Sequence, residues 1–163
     1  MIFIKFKKGQ GLGNQLWNYV TLRSIAKFLS LDYKVLDFQN FKGINFLDIK
    51  ETSNKKFKYS EKILNNFYEE VFYDNDLKNI SCNYDESILD IKENTLLNGL
   101  FQSENYLKPN NLIIKDFIKI KDFRFNKNED WENLCILNIR GGEYKRHKNL
   151  ILPKSYWDQA IFN

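Results

Sequence analysis

Three short stretches of this 163-residue chain combine residue types that can do chemistry. The first is Gly9-Gln10-Gly11-Leu12-Gly13-Asn14-Gln15. Its glycines let the backbone turn and approach a ligand closely, and the free N–H groups of a helix starting there attract anions. A Walker phosphate loop would need Gly-Lys followed by Ser or Thr, which is absent, and the dinucleotide fingerprint G-x-G-x-x-G breaks at Asn14. Asp37, at the end of the next predicted strand, still suits a ribose hydroxyl, so a nicotinamide-dinucleotide domain stays open as a reading. The plainer alternative is a tight strand-to-helix turn with no ligand.

The second stretch is Gly99-Leu100-Phe101-Gln102-Ser103-Glu104-Asn105-Tyr106. Amide, hydroxyl and carboxylate beside aromatic rings suit sugar hydroxyls, although a strand end with Ser103 capping a short helix would look the same. The third is Asn138-Ile139-Arg140-Gly141-Gly142-Glu143-Tyr144. An Arg where a buried strand meets a glycine turn can clamp a diphosphate with its planar fork of donors. The chain holds 21 Lys but only four Arg (Arg23, Arg124, Arg140, Arg146), and Lys cannot supply that geometry. A surface ion pair is the bland alternative for Arg140. Lys145-Arg146-His147-Lys148 reads as a solvated basic loop, and His147, the sole histidine, is a poor base or ligand there.

The elements that must position these residues follow from periodicity. Residues 2–6 form a short β-branched and aromatic run, a buried strand. A helix is predicted from Gln15 to about Leu29, with Leu16, Tyr19, Leu22, Ala26 and Leu29 on one face. Residues 33–38 read as a second strand, completing a βαβ opening and implying a parallel sheet. Residues 60–73 read as a helix capped by Ser60, 95–101 as another apolar strand and 111–117 as a helix. The polar stretch 126–132 reads as a linker, followed by a buried strand at 134–139. Pro153 suits the first turn of a helix through Ser155, Trp157 and Ile161. The predicted organisation is therefore one α/β domain over residues 1–130, then the first βα unit of a second over 131–163.

Composition bounds the function. Hydrophobic residues at 43% and charged residues at 28% exclude a disordered, collagenous or disulfide-dense chain. A net charge of +4, with lysines interleaved among acids, points away from a nucleic-acid partner. Cys82 and Cys135 lack C-x-x-C spacing, which favours free thiols in a reducing compartment over a disulfide or metal site. No run approaches a membrane span, and residues 1–6 are too short for a signal peptide. Cytoplasmic residence is expected, with peripheral membrane association compatible.

Together the motifs resemble the alpha-1,2-fucosyltransferases, glycosyltransferase family 11. GQGLGNQLWNYV is similar to that family's G-G-L-G-N-Q-L-F-Q-Y-A opening, and GLFQSENYL to its G-[YF]-[FW]-Q-S-E-x-Y-F segment. NIRGGEY resembles its H-x-R-R-G-D-Y motif, and LPKSYWDQAI its L-P-x-x-Y-Y-x-x-A-I helix. The four occur in the same order with similar spacing. The resemblance implies a Rossmann-like parallel-sheet domain as the N-terminal half of a GT-B-type two-domain fold. It further implies inverting transfer of L-fucose from GDP-fucose to an acceptor glycan in surface glycan synthesis, with no cofactor or metal ion.

Carried across, Arg140 stabilises the departing diphosphate, with Asn138, Gly142 and Tyr144 around it. Gly11, Gly13, Asn14 and Gln15 shape the turn lining the cleft, and Gln102 and Glu104 lie near it. Glu143 and Glu104 are the base candidates. Three positions depart from the motif: Asn138 replaces a histidine, Gly141 an arginine and Glu143 an aspartate. Family members are nearly twice as long, so most of the donor-binding half is expected beyond Asn163. The 163-residue chain alone is expected to be inactive, with a non-catalytic glycan-binding fragment as the third reading.

Overall fold

Strand β1 (Ile2–Lys5) alternates between two environments. Ile2 and Ile4, with Phe6 just beyond, join the main core on one face, whereas Phe3 packs with Met1 and Leu36 on the other. A strand covered on both sides reads as a continuous apolar run, which explains its clarity in the sequence. The computed structural model describes residues 1–56, 58, 60, 63–70, 73–74, 79–80, 84–110, 115, 117–121 and 152–162. The chain divides into two units, Met1–Arg124 and Phe125–Asn163.

Helix α1 (Leu12–Phe28) begins earlier than the predicted Gln15, because Gly13 is absorbed into its first turn. Tyr19, Leu22 and Ala26 are buried as expected, together with Val20 and Ile25; Leu16 and Leu29 pack partly buried against them. Lys27 in the last turn complements the helix dipole. Strand β2 (Tyr33–Leu36) pairs in parallel with β1, from Ile2 opposite Tyr33 to Lys5 opposite Leu36. It stops short of the predicted Phe38 because Asp37 takes a left-handed conformation (φ 51°) and opens a 3-10 turn at Phe38–Asn40.

The remaining strands of this unit are β3 (Leu47–Asp48), β4 (Asn66–Glu69), β5 (Tyr73–Asp74), β6 (Asn79–Ile80), β7 (Thr95–Asn98) and β8 (Lys119–Ile120). Four form a parallel sheet in the order β2-β1-β7-β4; β3 pairs with β8 and β5 with β6, both antiparallel. The unit is therefore α/β, as expected. The predicted helix over 60–73 is overturned, since β4 falls within it and β5 begins at its last residue. Asn66 and Tyr68 are half-buried while Phe67 and Glu69 are exposed. That two-residue alternation fits a pleated edge against β7 and not a helical stripe.

In the second unit, α2 (Lys154–Phe162) follows Pro153 as predicted, with the Tyr156 N–H donating to the Pro153 carbonyl at 3.0 Å. Lys154 and Asp158 pair one turn apart at 2.8 Å. The strand predicted over 134–139 and the basic loop after it lie outside the described residues, as does most of the helix predicted over 111–117. Among the described residues no helix is long and apolar enough to cross a membrane.

Leu22 is fully buried where α1 meets the sheet. Leu22→Ala is expected to lower unfolding free energy by about 2–5 kcal/mol in urea titration, through lost burial and a residual cavity.

Candidate functional site

The sheet order sets β1 and β7 side by side in the middle. From β1 the chain passes through α1 to β2 on one side, while β7's other neighbour, β4, lies on the opposite side. Where connections diverge in this way, a parallel sheet leaves a crevice beyond the carboxyl ends of its strands. Here it is a cleft of about 580 Å³ whose polar lining is Lys5, Lys7, Lys8, Gln10, Asn18 and Asn98.

One wall is the turn between β1 and α1. The Lys7 N–H donates to Gln10 Oε1 at 3.2 Å, and the Gln10 N–H returns to the Lys7 carbonyl at 3.1 Å. Gly9 sits at φ +85°, which only glycine adopts without strain. Gly11 and Gly13 differ, because a Cβ added at either would meet nothing within 4 Å. Neither is required by packing. The N-terminus of α1 carries no side-chain cap and no acidic residue in its first turn, so its N–H groups are open to an anion. On that same turn Asn14 Oδ1 accepts from Gln102 Nε2 at 2.8 Å, across 88 residues of sequence. Two of the three chemistry-bearing stretches thus meet.

The opposite wall is the end of β7, and a carboxylate shapes it. Glu70 is 1% exposed, and its Oε2 accepts from the Leu100 and Phe101 N–H groups, each at 2.8 Å. Its Oε1 accepts from the Tyr106 hydroxyl at 2.9 Å. Stripping water from a carboxylate is costly, and these three donors replace that water. The turn they hold is tight: Phe101 is left-handed at φ 52°, and a Cβ at Gly99 would sit 2.7 Å from the Phe101 ring and 2.8 Å from Glu70. Burial, and then the bond to Glu70, raise the Tyr106 phenol far above the ordinary tyrosine range. Nearby, Tyr68 donates to Asp85 Oδ2 at 2.7 Å, and that bond is the chief reason the Asp85 carboxyl lies below its usual value.

The other predicted residues divide by location. Gln15 is fully buried and turns inward, its Nε2 donating to the Asn40 carbonyl at 2.8 Å and its Oε1 accepting from the Lys42 N–H at 3.0 Å. It pins the segment after β2. Gln102 and Glu104 are exposed, and Ser103 caps a 3-10 turn at Glu104–Tyr106 by accepting from the Asn105 N–H at 3.3 Å. Asp37 faces Lys5 at 3.3 Å. Arg140, Glu143, Asn138, Gly142 and Tyr144 lie outside the described residues, as do Cys82, Cys135 and His147. Among the described residues no group of three or more His, Cys, Asp or Glu comes together to hold a metal ion.

Glu70 escaped the sequence reading because Glu69-Glu70 looks like a solvated acidic pair. The available signal was the strand period, which puts residues 66, 68 and 70 on one side and exposes Glu69. Compared with models of known protein families, with curated proteins and with solved structures, the chain matches none.

Glu70→Gln is expected to cost about 1.5–3 kcal/mol in urea unfolding, the range for hydrogen bonds to a charged group. Tyr68→Phe is expected to raise the Asp85 carboxyl toward its ordinary value of about 3.9, read by NMR titration. A depressed carboxyl stabilises the fold above its unfolded pKa and loses that contribution as pH falls through the folded value. The stability advantage of wild type over Tyr68→Phe should therefore shrink below about pH 4.

Proposed function

We propose that the protein is an inverting glycosyltransferase that moves L-fucose from GDP-fucose to a sugar hydroxyl in surface glycan synthesis, working in the cytoplasm. The observation that carries this reading is the Asn14–Gln102 hydrogen bond, which joins two motifs of the family resemblance across 88 residues of sequence. The parallel sheet with its crevice at the strand ends supports a Rossmann-like first half of a GT-B-type enzyme. Exposed Gly11 and Gly13, free of any packing need, support a backbone that a ligand approaches closely.

In the proposed reaction the acceptor hydroxyl attacks the anomeric carbon of fucose from the face opposite the leaving group. Glu143 or Glu104 takes the hydroxyl proton as general base. The bond to GDP breaks, and Arg140 stabilises the charge that develops on the diphosphate. Asn14 and Gln102 supply amide groups suited to sugar hydroxyls. A nicotinamide-dinucleotide reading shares the glycine turn but needs Asp37 for a ribose, and that carboxylate faces Lys5.

The test is Arg140→Ala in the intact gene product. Loss of a single electrostatic donor at a leaving group lowers kcat by about 10²–10³-fold, and that is the expected fall in fucose transfer. Arg140→Lys should recover little of it, because a point charge does not reproduce the bidentate fork. An unchanged rate together with unchanged GDP affinity by calorimetry would overturn the assignment.

A further inference from the structure

We propose that Glu70 is a positioning residue of the candidate site, acting on the ligand only through Gln102 and Glu104. The inference rests on the fucosyl-transfer reading and deepens it. At 1% exposure Glu70 is out of reach of a ligand, so it touches neither substrate nor reacting atoms. Its own place is fixed by the sheet, because its N–H donates to the Asn98 carbonyl at 3.0 Å, just past the paired residues of β4. Both side-chain oxygens are then spent on one short segment. Oε2 holds Leu100 and Phe101 through their N–H groups, and Oε1 holds Tyr106 through its hydroxyl. Residues 102–105 are all that lies between these anchors.

A segment tied at both ends by one side chain has little freedom in between. It is tightened further from within: the Ser103 N–H donates to the Phe101 carbonyl at 2.9 Å, and the Tyr106 N–H to the Ser103 carbonyl at 3.3 Å. Phe101 and Tyr106 meet edge-on with ring centroids 5.4 Å apart, so the two anchors also hold each other. Gln102 and Glu104 are the exposed residues of this loop. Gln102 reaches Asn14 on α1 at 2.8 Å. The turn of α1 that carries Asn14 is fixed in a similar way, by buried Gln15 against Asn40 and Lys42. Two buried polar side chains, Glu70 and Gln15, therefore set the exposed amide pair from its two ends. Groups held in place beforehand bind a ligand without the entropy cost of ordering them.

The test is a double-mutant cycle on fucose transfer by the intact protein. It combines Gln102→Ala with Glu70→Met, which keeps the length of the side chain and removes its acceptors. Each single variant is expected to lower kcat/KM by about tenfold or more, the loss of at least one hydrogen bond to the sugar. Because Glu70 acts through Gln102, the double variant should fall no further than Glu70→Met alone. A purely structural role would multiply the two losses to about a hundredfold. That result, or an unchanged rate in Glu70→Met, would overturn the proposal. Should Glu70→Met not fold, Tyr106→Phe removes one of the three donors, keeps the ring and enters the same cycle. NMR of the ligand-free protein adds a readout that needs no activity. A nuclear Overhauser contact between the Gln102 side-chain amide and Asn14 is expected in wild type and should be lost in the variant. Its absence from wild type, or its persistence in the variant, would equally overturn the proposal. Absence of fucose transfer by wild type would tell against the fucosyl-transfer reading alone and leave the NMR contact to decide the role of Glu70.

Discussion

A carboxylate with almost no access to water organises the first unit. Glu70 draws two successive backbone N–H groups and one phenol onto its two oxygens. The turn after β7 must therefore fold back on the end of β4, with Phe101 in a left-handed conformation and Gly99 too close to both side chains to carry a Cβ. Phe101 then stacks on Tyr68 and meets Tyr106 edge-on, which places the 3-10 turn at Glu104–Tyr106. Gln102 leaves this arrangement pointing toward α1, where Asn14 receives it. Remove the side chain and two backbone N–H groups and a phenol lose their acceptor.

That dependence explains which parts of the molecule were legible in sequence. The opening βαβ was, because β1 is buried on both faces and reads as an unbroken apolar run, while α1 carries apolar residues at helical spacing. So was Ser103 as a cap, and so was the helix after Pro153. Residues 60–73 were misread because an aromatic-rich segment with acidic neighbours also fits a helix edge, and only the pairing with β7 decides between the two. Gln15 and Glu70 show a different obstacle. Each is a polar side chain used inside the fold, against segments 25 to 36 residues away, and such partners have no local signature.

The glycine-rich stretch combines two demands that its spelling does not separate. Gly9 is there for backbone conformation, whereas Gly11 and Gly13 leave surface open at the start of α1. Beside that opening Lys5, Lys7, Lys8 and Asn18 gather around the crevice at the carboxyl ends of β1 and β7.

Backbone amide exchange at Leu100 and Phe101 tests the role of Glu70 most directly. Both residues follow the sheet's last hydrogen-bonded position in β7, so an ordinary surface turn would leave them exchanging freely. Bonded to a buried carboxylate, they should be protected to the same degree as the central amides of β1. Exchange at the rate of an open loop would contradict the clamp and, with it, the placement of Gln102 against Asn14.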